Sequence, residues 1–140
     1  MTRTRRSPKA FRLALGAAAL GVVASVTAVV APPASATVKS IGIHPSATVG
    51  THRYATTCSY TVAVTVDDNT KPVYFFEEGQ GPTGFAEAMP SNNEARVTWT
   101  PSRTGITYIY AFQPGATTQM RQDVGGVGNG INTGSACIAL

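Results

Sequence analysis

The chain has 140 residues, of which 43% are hydrophobic and 13% charged, and a formal net charge of +4. That length suits one compact domain. Five of the 11 lysines and arginines (Arg3, Arg5, Arg6, Lys9, Arg12) precede residue 13; the rest of the chain keeps six against all seven acids, net −1, and so has no basic stripe with which to bind nucleic acid.

The N-terminus "MTRTRRSPKAFR" is basic, and residues 13–31 are apolar and uncharged. "PPASA" follows, with Ala34 and Ala36 framing Ser35 as an A-x-A site. Residues 1–36 therefore read as a secretory signal-peptide helix cleaved after Ala36. The competing reading is a retained membrane anchor, because the apolar run approaches the ~20 residues a spanning helix needs. Its many Ala and Gly residues and the A-x-A motif favour cleavage. The Arg5–Arg6 pair leaves twin-arginine and ordinary secretory export both open, although no Phe follows two positions later. No Cys stands at the cleavage site, so no lipoprotein anchor is expected. The expected location is outside the cell or at its envelope, with no stable membrane insertion after cleavage.

Beyond residue 36 the pattern is that of strands and turns. "VKSIGIHP" reads as an edge strand ended by Pro45. "CSYTVAVTV" alternates, with Tyr60, Val62, Val64 and Val66 on one face and Thr61, Ala63 and Thr65 on the other. That period of two marks a half-buried strand. "DDNTKP" breaks it with turn residues. "VYFFEEG" is the next strand, "FAEAM" a short one, and "ARVTWT" another, with Ala95, Val97 and Trp99 sharing a face. Trp99 is expected in the core with them. "ITYIYAFQ" and a weaker "TTQMRQDV" follow. No segment shows capped three-and-four apolar spacing, so almost no helix is expected. Strands recurring every 8 to 15 residues with turns between them predict an all-β antiparallel sandwich of about seven strands over residues 37–124. Residues 125–140 hold five glycines before Ser135, which is too many for a regular strand. They read as a wandering tail. Their spacing is wrong for a phosphate-binding G-x-G-x-x-G loop.

Cys58 and Cys137 are the only cysteines. Export would place them in an oxidising compartment, where two cysteines allow one pairing. A disulfide between them ties the tail back; in the chain-entropy model such a loop is worth ~4.5 kcal/mol. The alternative, a pair of reactive thiols, lacks any basic neighbour to activate it.

"RVTWTPSRTGITYIYAFQ" resembles the hairpin that recurs in bacterial immunoglobulin-like domains. "PVYFFEEGQGPTGFAEA" resembles the preceding part of that pattern, and "CSYTVAVTVDD" its opening strand. The resemblance spans residues 56–124, and "GNGINTGSACIAL" looks like the tail of small secreted actinobacterial proteins that carry one such domain. Two departures separate the chain from antibody-type domains. Trp99 lies on what would be strand E, and no Cys falls within 106–113. The resemblance implies an immunoglobulin-like sandwich that serves as a spacer, adhesin module or binding unit, and it implies no catalytic residues.

The residues themselves offer little for chemistry. His44 and His52 lack metal-site spacing, and a zinc site needs three or four ligands. Glu77 and Glu78 are adjacent on a strand and so point to opposite faces. Asp67, Asp68 and Asn69 lack the rest of a calcium loop and read as a turn. No catalytic residue, metal or cofactor is assigned.

On the strand 106–113, Ile106, Tyr108, Tyr110 and Phe112 share one face, and Thr107, Ile109 and Ala111 share the other. By bulk, the aromatic face belongs in the core. By resemblance, Ile109 and Ala111 are buried, which turns Tyr108, Tyr110 and Phe112 outward as a binding patch. Both readings stand at this point. The expected function is a secreted non-catalytic immunoglobulin-like module that binds an unknown protein or a cell-envelope glycan, or acts structurally. The alternative is a carbohydrate or small-ligand carrier that uses a cleft lined by exposed Tyr and Trp. A small hydrolase or inhibitor ranks below both.

Overall fold

A computed structural model describes residues 37–140; the signal-peptide reading of residues 1–36 lies outside them. The described chain is all-β and contains no helix. Its strands are β1 (Val38–His44), β2 (Thr48–Gly50), β3 (Tyr54–Ala55), β4 (Tyr60–Val66), β5 (Val73–Glu77), β6 (Ala86–Ala88), β7 (Glu94–Trp99), β8 (Gly105–Phe112), β9 (Met120–Gly128), β10 (Gly130–Asn132) and β11 (Cys137–Ala139). They form three sheets, in the orders β1-β4-β7, β3-β9-β8-β5-β6 and β10-β11-β2.

The alternation in β4 sets the first sheet. Tyr60, Val62, Val64 and Val66 are buried, while Thr65 is exposed. Antiparallel pairing places Ile41 of β1 opposite Val64 and Ala95 of β7 on its other side. Val38, Ile41, Ala95 and Trp99 complete that inner face. The second sheet contributes Val73, Phe75, Ile109, Ala111, Val124 and Val127 to the same apolar cluster. Burying each Val, Ile or Phe stabilises by ~1.5–3 kcal/mol relative to exposure. Tyr54, Tyr60 and Trp99 pack ring against ring, with centroids 5.0 to 5.9 Å apart. The Tyr60 hydroxyl accepts from the Ala55 amide at 2.8 Å, so its polar end is satisfied inside.

The turns follow from their residues. Asn92 and Asn93 have φ of 53° and 64° between Ser91 and Glu94, which exchange backbone hydrogen bonds. Two left-handed central residues make a type I′ turn, a geometry that Asn tolerates better than most residues. In "DDNTKP", the Asp68 carboxylate accepts from the Thr70 amide at 2.8 Å and from its hydroxyl at 2.5 Å. Those bonds hold the Asp68 carboxyl below its ordinary 3.8, with Lys71 adding to the effect. The segment is a turn, as the sequence predicts.

Three expectations need correction. The strand count exceeds seven because β2, β3, β10 and β11 are added to the seven strands read from sequence. The pairing is not wholly antiparallel, since β11 runs parallel to β2 and β3 parallel to β9. Residues 125–140 are not a wandering tail. β9 continues through residue 124 to Gly128, and β10 and β11 pair with each other. The glycines permit this because other chain segments lie where side chains would project. A Cβ on Gly130 would collide with the Thr56 carbonyl and sit 2.8 Å from Cys58 Sγ; one on Gly128 would meet the Leu140 carbonyl and the His52 ring. The Cys58–Cys137 disulfide is present, with Cα atoms 5.9 Å apart across a separation of 79 residues.

Candidate functional site

Burial settles the parity of β8. Thr107, Ile109, Ala111 and the following Gln113 are all 0% exposed, whereas Tyr108, Tyr110 and Phe112 are half-buried and Ile106 is exposed. The aromatic stripe therefore faces outward, against the expectation that the bulkier face is buried. The inner face already has its large groups in Trp99, Tyr60 and Phe75, so the residues opposite them must be small or compact.

Strand register enlarges the stripe into a plate. Tyr74 of β5 lies opposite Phe112, and Phe76 opposite Tyr110. Such cross-strand partners sit with Cβ atoms ~4.5–5.5 Å apart. Tyr74 and Phe76 are half-buried, while their neighbours Val73, Phe75 and Glu77 are buried. Arg121 of β9 is opposite Tyr110, and its guanidinium lies 4.5 Å from the Tyr108 ring centroid. Asp123 pairs with Tyr108 at the same edge. The outer face of β9-β8-β5 thus presents five aromatics, with the Arg121 guanidinium seated over the Tyr108 ring and Asp123 beside it. Sequence reasoning named Tyr108, Tyr110 and Phe112 and missed Tyr74 and Phe76. The available signal was that both strands carry aromatics at alternate positions, which pairing would bring onto one face.

The residues considered for chemistry lie apart. Glu77 points inward and is 1% exposed. Its carboxylate accepts from Trp99 Nε1 at 3.2 Å, from the Ser102 amide at 3.1 Å and from Gln80 Nε2 at 3.3 Å. Glu78 points outward to Arg103, whose guanidinium also donates to the Glu78 carbonyl. The two carboxylates occupy opposite faces, as adjacent strand residues must. His44 and His52 are exposed, and His52 shares a hydrogen bond with Thr51 Oγ1 at 3.1 Å. Among the described residues, no three His, Cys, Asp or Glu gather where a metal could be held.

The cleft imagined for a small-ligand carrier takes a different form. Trp99 is fully buried and lines no surface. One shallow cleft of about 160 Å³ lies beside the disulfide, and another of about 240 Å³ lies between β1 and β9 beside Arg53 and Tyr54. Both fall below the ~300–1,000 Å³ of typical ligand pockets. Burial raises the Tyr54 phenol above 10.0, and the neighbouring Arg53 opposes that rise.

A second exposed apolar feature was invisible in the sequence. Ile131, Ile138 and Val49 align across β10, β11 and β2 and are all exposed. Among the described residues, no helix is long and apolar enough to cross a membrane. No family model, no curated protein and no solved structure matches the chain.

Proposed function

We propose that the protein is an exported, non-catalytic immunoglobulin-like β-sandwich that binds a polysaccharide of the cell envelope through the outer aromatic face of its five-stranded sheet. The plate of Tyr74, Phe76, Tyr108, Tyr110 and Phe112 carries this reading. Aromatic side chains left half-exposed on one face retain apolar area to bury against a ligand. The C–H faces of pyranose rings match such a plate. Ring hydroxyls match the Tyr hydroxyls, the Arg121 guanidinium over Tyr108 and the Asp123 carboxylate. A strand advances about 6.6–6.8 Å between side chains on one face, so the plate offers a row of stacking positions to an extended chain.

The immunoglobulin-like part of the proposal is supported by sheet order. β1-β4-β7 and β6-β5-β8-β9 follow the A-B-E and C′-C-F-G orders of that fold, and β3 adds an edge strand beside β9. The third sheet is an addition to that plan. The export part rests on the N-terminal sequence and is consistent with the disulfide.

The test is co-sedimentation of the processed protein with insoluble cell-wall polysaccharide, alongside the Tyr108→Ala/Tyr110→Ala variant. Trp99 is buried, so its emission is a poor reporter of this face; tyrosine NMR shifts are the appropriate local readout. Retention of the parent and loss in the folded variant support the reading. Equal retention of both moves the site elsewhere. Failure of the parent to bind any wall polysaccharide defeats the glycan assignment and leaves a protein partner as the alternative occupant.

A further inference from the structure

At the start of the described chain, the Thr37 backbone nitrogen donates to Asp67 Oδ1 at 2.7 Å. The Asp67 amide in return donates to the Thr37 carbonyl at 3.3 Å. These two bonds close the end of the β1–β4 ladder just beyond the Val38–Val66 pair. The second carboxylate oxygen of Asp67 lies 3.9 Å from Lys39 Nζ, and the Asp67 side chain is 36% exposed.

Thr37 is also the residue that follows the A-x-A motif. In the unprocessed chain its nitrogen is a neutral amide with one proton. Hydrolysis of the Ala36–Thr37 bond adds water across it: Ala36 leaves as a carboxylate, and Thr37 keeps its nitrogen as an α-ammonium. The nitrogen that faces Asp67 thereby gains a full positive charge.

We propose that signal-peptide removal converts the Thr37–Asp67 hydrogen bond into an ion pair, so that processing itself fastens the edge strand β1 to the sheet. The proposal rests on cleavage after Ala36. It gives Asp67 a specific task, as the receptor for the new amino terminus. It also makes the position of the cut matter. A terminus one residue earlier keeps the amide at Thr37 and carries its charge one residue away from the carboxylate. Charge-assisted bonds of this kind are shorter and stronger than neutral ones, and a pair this exposed is weakened by salt. β1 gains from the fastening because it is an edge strand, bonded to a neighbour on one side only.

The experiment compares a chain that begins at Thr37 with one that retains Ala36, each with and without Asp67→Asn. The Asn variant keeps an acceptor oxygen and removes the charge. In the chain beginning at Thr37, the α-amine facing the Asp67 carboxylate should titrate above the ordinary α-amine range, and that rise should vanish in Asp67→Asn. A raised amine pKa stabilises the fold fully below the unfolded value and ceases to do so as pH rises through the folded one. The Thr37 chain should therefore melt ~2–4 °C above the Ala36 chain at pH 6.5, with the gap closing as pH rises through the folded value of the amine and absent in Asp67→Asn. Among the described residues, Asp67, just after β4, and Lys39 of β1 form the ion pair at this position, and Lys39 competes with the new ammonium for the carboxylate. An α-amine that titrates at its ordinary value, or a melting gap that survives Asp67→Asn, overturns the proposal. N-terminal sequencing of exported protein checks the cleavage reading separately. A start other than Thr37 defeats that reading, whereas a normal titration in a correctly cut chain defeats only the pairing.

Discussion

Replacing Glu77 with Ala should destabilise the fold more than any other single carboxylate change. The side chain is 1% exposed and accepts from Trp99 Nε1, which is buried with it, and from the part-buried Ser102 amide. Each buried donor left unpaired costs ~1–3 kcal/mol. Removing a buried charge recovers part of its desolvation cost, so the net loss should be ~2–5 kcal/mol. That is a large share of the ~5–15 kcal/mol typical of a domain. Glu77→Gln keeps one acceptor oxygen and should lose ~1–2 kcal/mol. Glu78→Ala is the control, because its side chain is 43% exposed and its partner Arg103 is 3.9 Å away; its effect should stay within about 0.5 kcal/mol. Urea denaturation followed by Trp99 emission reads all three, and at a slope of ~1–3 kcal/mol per molar the Ala midpoint should fall by about 1–3 M. Binding per folded molecule should not change, since Glu77 faces away from the aromatic plate. If Glu77→Ala and Glu78→Ala unfold at the same urea concentration, the Trp99 and Ser102 bonds contribute nothing and the reasoning is wrong.

Ile109→Ala should cost ~2–5 kcal/mol, and Tyr110→Ala next to it under about 1 kcal/mol; comparable losses in thermal melts would contradict the outward parity of β8. Thr70→Ala removes a hydroxyl donor from Asp68, so the Asp68 carboxyl, followed by NMR titration, should move up toward 3.8. Because that carboxyl is held low in the fold, its contribution to stability is present above 3.8 and is lost as pH falls through the folded value; an unmoved titration in Thr70→Ala would exclude the hydroxyl as the cause. Replacing Cys58 and Cys137 together with Ser should lower stability by up to ~4.5 kcal/mol and admit protease after β9, while circular dichroism keeps its strand signature. An unchanged melting point and an intact C-terminus would show that the strand pairings alone suffice.

The seven main strands were legible because their alternation is local: β4 and β7 display their inner faces in the order of their own residues. Glu77 was legible only in part. Its opposition to Glu78 follows from strand geometry, but its inward direction depends on Trp99 and Ser102, 22 and 25 residues away. Gln113 is similar. It is fully buried and donates to the carbonyls of Asp68 and Lys71, which clamps the turn before β5. Nothing in its own neighbourhood announces that task. The parity of β8 was undetermined because both of its faces are apolar, so a period of two identifies the faces without saying which is buried. Only the volume already committed to Trp99, Tyr60 and Phe75 on the inner side decides it.

Judged by composition, the glycines of the tail point to disorder, since ordering each residue costs ~1–2 kcal/mol of backbone entropy and glycine loses the most. What offsets that cost comes from a distant part of the chain. β11 takes its partner from β2, and Thr57 donates its hydroxyl to the Gly130 carbonyl at 2.8 Å while its own carbonyl accepts from Asn132 Nδ2 at 3.2 Å. Thr57 does so at a φ of 64°, a conformation that a β-branched residue adopts only when its surroundings enforce it. The surroundings here are the tail itself and the disulfide at the next residue, Cys58. Strained loop and glycine-rich tail therefore order each other. The same glycine that makes Gly130 costly to order lets it pass against the Thr56 carbonyl and the Cys58 sulfur, where any side chain would keep the two segments apart.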